Sequence, residues 1–212
     1  MRTPAYLICF LAVSVASCAR TADLEHQAAK EDTDLSTLSV ATFASGCFWC
    51  VEAIYESIRG VRTAISGYAG GHTTDPTYRK VNTERTGHAE AVQVYYDPAV
   101  VSYAQLVDVY FGSQDPTQIN GQGPDIGSSY RSIIFYRTDE EKQIAEKAKA
   151  ALAASGKYEK PIAAEILSIT RFYEAEAYHQ DYEHRHPNDS YIRNVSVPRL
   201  NRFKQKFPDL LK

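Results

Sequence analysis

Between Leu38 and Ile58 the hydrophobic period of the chain changes from two to about 3.6 residues, and no other feature constrains the fold as tightly. Leu38 to Ala44 reads as a strand. After the Ser45-Gly46 turn, Val51, Ile54, Tyr55 and Ile58 recur at i, i+3, i+4 and i+7, with Glu52, Glu56 and Arg59 opposite, and Gly60 stops the helix. A strand feeding a helix across so short a turn must lay the helix back over a sheet. Cys47 opens that helix and Cys50 lies one turn further on. A thiol at a helix start faces unpaired N–H groups and the positive end of the dipole, so Cys47 is expected to have a lowered pKa and to be a nucleophile.

Strand and helix patterns then alternate. Val61 to Tyr68 and Ala89 to Tyr96 read as strands, and Ser102 caps a helix bearing Tyr103, Leu106, Val107, Tyr110 and Phe111 on one face. A long Gly/Pro/Asp/Asn loop runs through Pro124, and Tyr130 to Tyr136 reads as a strand. Thr138 and Glu141 form a capping-box signature for a helix closed by Gly156, and Ala163 to Ile169 is a last strand. The remainder, with Pro187, Pro198 and Pro208 and a short helical stretch from Glu174 to His184, reads as an irregular tail wrapped on the domain. The order implies an α+β or α/β sandwich, helices against a mostly open sheet.

The first residues read as an address. Arg2 is a short basic start, and Ala5 to Val15 is apolar but shorter than the roughly 20 residues a spanning helix needs. Val15-Ala16-Ser17-Cys18 is similar to a bacterial lipobox, so residues 1–17 are expected to be a lipoprotein signal peptide and Cys18 to carry lipid; a plain secretory peptide cut nearby is the alternative. The polar segment from Ala19 to about Thr37 reads as a tether, giving residues 18–38 as a lipidated N-terminus and 39–212 as one domain. The protein is thus expected to be exported to the periplasm or cell envelope and membrane-bound through its lipid alone.

With Cys9 removed and Cys18 lipidated, Cys47 and Cys50 are the remaining thiols. A bridge between them would close a loop too short to constrain the unfolded chain, so chemistry explains the pair better than stability. A Cys-x-x-Cys also serves zinc sites and disulfide oxidoreductases. Zinc would need His179, His184 or His186, whose spacing fits poorly, and no metal is expected. The 23 basic and 26 acidic side chains, net charge −3, form no long runs and offer no footprint for nucleic acid. Arg199, Arg202, Lys204 and Lys206 read as a solvated helix face.

Alternation places Glu90 on the same strand face as Val92, Val94 and Tyr96. On an apolar face its charged form would be disfavoured and it could hold a proton near neutral pH. The pattern equally allows Glu90 to sit in water at the strand end or to pair with Arg79 or Arg85. Trp49, the single tryptophan, and Phe48 flank Cys47 and could form a recess for a small apolar group such as a methyl.

These residues resemble the A class of peptide methionine sulfoxide reductases from about Val40 to the C-terminus. The resemblance rests on Gly46-Cys47-Phe48-Trp49, Gly67-Tyr68-Ala69-Gly70-Gly71, Pro76-Thr77-Tyr78, Thr86-Gly87-His88-Ala89-Glu90, the loop from Asp125 to Ser132, and Tyr178-His179-Gln180-Asp181-Tyr182. It implies a two-layer α/β sandwich (ferredoxin-like) with a mixed sheet, and reduction of free and protein-bound methionine-S-sulfoxide by a monomer. It also implies that Cys47 attacks the sulfoxide sulfur, Phe48 and Trp49 receive the methyl group, Glu90 protonates the oxygen, Tyr78 and Tyr130 bind it, and Asp125 belongs to the same site. The resemblance implies no cofactor; a thioredoxin-like reductant is the co-substrate. Two positions depart from the family: many members have glycine at Cys50 and recycle through cysteines in the tail, where this chain has none, and members often have cysteine at Asn82. Cys50 is therefore expected to resolve the sulfenic acid. The alternatives are an exported thiol-disulfide oxidoreductase, which has no use for Glu90 and the tyrosines, and a catalytically dead lipid-anchored binding protein.

Overall fold

The computed structural model describes residues 35–212, of which Thr37–Lys212 form one compact unit. The signal segment, Cys9, Cys18 and most of the tether lie outside the described residues.

The strand–turn–helix unit stands where the periodicity put it: β1 (Ser39–Ala44), then α1 (Phe48–Glu56) with Cys47 as N-cap. Gly46 makes the turn possible: its φ is +79°, and a Cβ there would lie 2.6 Å from Cβ of Gln122. β2 (Val61–Ala69), a short α2 (Tyr78–Val81) and β3 (Ala89–Tyr96) follow. Then comes α3 (Tyr103–Gly112), whose N-terminus is closed by a full Ser102/Gln105 capping box. β6 (Ile133–Tyr136) completes a β-α-β-β-α-β core in which the strands lie β6-β1-β3-β2, each antiparallel to its neighbour. This is the ferredoxin-like arrangement, in which α1 and α3 carry the crossovers.

The sheet is extended at both edges. α4 (Asp139–Ala154) returns the chain so that β7 (Glu165–Ser168) joins β6 in parallel, and β8 (Phe172–Glu174) pairs antiparallel with β2. The sheet is mixed, as expected. Phe43, Val92, Val94 and Ile134 turn toward Val51, Ile54, Leu106 and Tyr110 to form the main core. Alternate residues Ala44, Ala89, Ala91, Ile133 and Phe135 form a smaller apolar cluster.

Several local expectations are corrected. Tyr130 ends a 3-10 turn (Ser128–Tyr130) instead of opening a strand, because Gly127 and the Glu84 carboxylate fold that turn. The long loop contains a small hairpin of β4 (Gly121–Gln122) and β5 (Asp125–Ile126). Thr138 Oγ1 accepts from the Glu141 N–H, but the Glu141 carboxylate accepts from the Arg137 N–H, one residue short of the full box. Glu174 lies in β8, so helix begins later, at α5 (Tyr182–Arg185). The tail is more ordered than its prolines suggested: a π turn (Ile192–Ser196) runs directly into α6 (Val197–Lys206), whose second residue is Pro198.

That ordered tail explains two further differences. Glu52, placed opposite the apolar stripe, is 2% exposed, because the Ala177–Arg185 segment covers it: Ser66 Oγ donates to one oxygen at 2.6 Å and the Asp181 N–H to the other at 2.9 Å. Arg199, read as solvated, is buried and donates to the Ser45 carbonyl (2.9 Å), Ser45 Oγ (3.1 Å) and the Ser113 carbonyl (3.0 Å). It clamps α6 to the turn that precedes Cys47.

Candidate active site

The sequence predicted a thiol between a strand and a helix, and the fold closes walls around it. Cys47 is 6% exposed and Cys50 2% exposed; both are free thiols. Glu90, 1% exposed, lies opposite Tyr68 in the β2/β3 pairing on the core face of β3, which settles its environment in favour of burial over water or an arginine partner. Its Oε2 accepts the Phe48 N–H at 3.0 Å, so the first free donor of α1 goes to the carboxyl beside the thiol.

Phe48 is fully buried, 5.9 Å from the Tyr68 ring, 6.3 Å from that of Tyr78 and 4.9 Å from His179. Trp49 stacks on Tyr182 with ring centroids 3.8 Å apart, and its indole N–H donates to His179 Nδ1 at 3.2 Å. That acceptor role puts the proton of neutral His179 on Nε2. Burial lowers the His179 pKa to about 4, so the ring is neutral. Tyr78 is fixed through its backbone: its N–H donates to Glu176, which also accepts the Tyr68 hydroxyl. Tyr130 is placed by the turn that Glu84 holds, and the Tyr78 and Tyr130 hydroxyls interact. Burial raises both phenols, so they are protonated donors.

Asp125 lies on the other side of the thiol pair. The Tyr191 hydroxyl donates to Asp125 Oδ2 at 2.6 Å and sits 3.8 Å from Cys50 Sγ. Phe48 thus ties Glu90, Trp49 and Tyr78 together at the start of α1, with Tyr130 beside Tyr78, while Asp125 reaches Cys50 through Tyr191. Tyr191 was not singled out from the sequence, and His179 was weighed only as a zinc ligand. His179 stands inside a motif that was noticed, but Tyr191 follows Pro187 in what read as tail and carries no local signal.

Burial raises Glu90 to about 8, with the Phe48 N–H pulling the other way and the charges of Asp125, Cys50 and Glu84 adding to the rise. Glu90 thus holds a proton at neutral pH. The thiols differ from the dipole argument. Burial raises Cys47 well above an ordinary thiol, reinforced by Cys50 and Glu90. The hydrogen bond from Cys47, together with Arg199, lowers Cys50 to about 6 against its own burial. One usable N–H of the helix start is taken by Glu90, and a desolvated cysteine beside a carboxyl gains little from the dipole. When one thiol of the pair ionises, it is Cys50.

Glu52, Glu56 and Asp181 each offer an oxygen within 4.8 Å of the others, the spacing of a cation site, on the far flank of α1. His179, considered for zinc, accepts the Trp49 indole N–H instead.

The profile of the family described as peptide methionine sulfoxide reductase matches residues 39–211. A peptide methionine sulfoxide reductase MsrA of Thermus thermophilus is 49% identical over 173 residues, which is 82% of this chain and 97% of that protein. The fold superposes on Mxr1 of Saccharomyces cerevisiae in reduced form with a TM-score of 0.69 at 34% identity, covering 74% of this chain and 91% of the yeast chain. A structure of Mxr1 in complex with Trx2 matches with a TM-score of 0.50 at 27% identity, covering 71% of this chain and 88% of that one.

Proposed function

The chain belongs to the peptide methionine sulfoxide reductase family and carries out thiol-dependent reduction of methionine sulfoxide; from that premise we propose how its residues divide the chemistry. Substrate is methionine-S-sulfoxide, free or in oxidised proteins. Its methyl group enters the Phe48/Trp49 recess, and its oxygen faces Glu90, Tyr78 and Tyr130. The positive sulfur end of the S–O dipole then lies against Cys47 and offsets the cost of ionising that buried thiol. Cys47 loses its proton and attacks sulfur as the Glu90 proton goes to the sulfoxide oxygen. That oxygen passes to Cys47 Sγ as the bond between Cys47 and the substrate sulfur breaks, so methionine leaves, Cys47 becomes a sulfenic acid, and the proton lost by the thiol restores Glu90. Cys50, the more acidic thiol, attacks that sulfur, forming the Cys47–Cys50 disulfide and releasing water. A thioredoxin-like dithiol reduces the disulfide, as the complex of yeast Mxr1 with Trx2 supports.

The buried, protonated Glu90 within hydrogen-bonding reach of the helix that carries Cys47 is the observation on which this reading rests. A thiol-disulfide oxidoreductase would have no use for it. Single-turnover stoichiometry tests the scheme: Cys50→Ser should release about one methionine per enzyme and then stall with a thioredoxin system, whereas full cycling would show that the reductant attacks the sulfenic acid directly. The S epimer should be consumed and the R epimer left.

Residues 39–212 form the catalytic domain in this reading, acting as a monomer that needs no cofactor. The lipobox-like Val15-Ala16-Ser17-Cys18 supports export, removal of residues 1–17 and a lipid anchor on Cys18. Mass spectrometry of the mature N-terminus should find Cys18 diacylated or triacylated; an unmodified start elsewhere would reject the anchor.

A further inference from the structure

A cavity of about 450 Å³ opens beside Cys50, walled by Ser113, Gln122, Arg199, Arg202 and Lys206 among others, and neither Cys47, Phe48, Trp49 nor Glu90 lines it. It is a second approach to the thiol pair, separate from the aromatic recess. Its size is that of a small-molecule site, for which ~300–1,000 Å³ is usual. Cys50 is 2% exposed and lines this cavity, so a small molecule that fits the cavity has a route to it beside that of a thioredoxin-like dithiol.

The charges in the cleft are unevenly engaged. Arg199 is taken up by Ser45 and Ser113, and Lys206 donates to the Gly112 carbonyl. Asp115 accepts from Thr117, and Asp125 from Tyr191. The exposed Arg202 guanidinium has no partner among the described residues. A ligand bearing carboxylates meets Arg202 and Lys206 at the mouth, with the cysteine at the inner wall.

We propose that this cleft binds an anionic low-molecular-weight thiol, which reduces the Cys47–Cys50 disulfide by attacking Cys50. The proposal rests on the reading of Cys50 as the resolving thiol. The ligand thiolate forms a bond to Cys50 Sγ as the Cys47–Cys50 bond breaks. Cys47 leaves with the electron pair and takes the proton of Glu90, which is replenished from solvent. A second thiolate attacks the ligand sulfur of the mixed disulfide, freeing Cys50 and giving the oxidised disulfide of the small thiol, so that two thiols supply the two electrons. Leaving-group strength alone would favour attack at Cys47, but Cys47 is enclosed by Glu90 and the aromatic rings, and access selects Cys50.

The test follows steady-state methionine formation by the full chain with glutathione as probe, against its diethyl ester and against uncharged dithiothreitol. Glutathione should drive turnover, the ester should do so less well, and Arg202→Glu should lower the ratio of glutathione-driven to dithiothreitol-driven kcat/KM about fivefold, the size expected for one exposed charge contact. Loss of that difference at high salt would support the proposal further. An unchanged ratio in Arg202→Glu, or no glutathione turnover where dithiothreitol supports it, would overturn it. Failure of the underlying reading shows separately: mass spectrometry after one equivalent of sulfoxide would find no Cys47–Cys50 disulfide.

Discussion

Cys47 and Cys50 are one helical turn apart, yet they occupy different chemical regions. Around Cys47 lie aromatic rings and a protonated carboxyl. Around Cys50 lie Tyr191, Ser196 and Arg199, polar groups that favour an anionic sulfur. The first region suits a neutral, methyl-bearing substrate whose oxygen must receive a proton. The second suits a sulfur that must become nucleophilic once the first has been oxidised. In the proposed scheme a single turn of helix separates the step that uses a proton from the step that uses a thiolate; the hydrogen bond from Cys47 contributes most to the acidity of Cys50, and the tail adds Arg199, Ser196 and Tyr191.

The division can be broken most completely at Cys47. Cys47→Ser should release no methionine even in a single turnover, and any stoichiometric release would reassign the nucleophile. Next in size, Glu90→Gln should slow single-turnover methionine release about 10²- to 10⁴-fold while Cys47 still alkylates, since an amide donates a hydrogen bond but no proton. In the wild type that step should fall as pH rises through about 8, where Glu90 loses its proton. Removing Glu90 should abolish this limb, and a limb that survived would belong to another group.

Arg199→Met probes the Cys50 region through stability. It leaves the Ser45 and Ser113 carbonyls without donors and should cost about 2–4 kcal/mol in denaturant unfolding. It should also raise the pH at which Cys50 alkylates. The smallest effect is expected at Tyr191→Phe, which removes a hydroxyl next to Cys50 Sγ and frees Asp125. Single-turnover methionine release should hold, while disulfide formation slows about three- to tenfold, the loss of one hydrogen bond. Equal slowing of both steps would mean that the two regions are not separable.

Sequence periodicity was enough to place Cys47 at the start of α1 and Glu90 on the strand face it shares with Val92 and Val94, because strand and helix repeats of two and 3.6 are set by local backbone geometry, but whether Glu90 is buried was decided by the fold. The short motifs marked Phe48, Trp49, Tyr78 and Tyr130 as candidates. What lay beyond them was decided by segments distant in the chain. Glu52 and Arg199 follow polar patterns and would be solvated on isolated helices; they are buried because the Ala177–Arg185 segment and the turn before Cys47 pack on them. Tyr191 reaches Cys50 across 141 residues, and His179 reaches Trp49 across 130. The order of the two thiols also reversed for this reason. A helix dipole is written into the local sequence, but desolvation and the placement of Arg199 exist only once the chain has closed around the site, and at full burial they outweigh it.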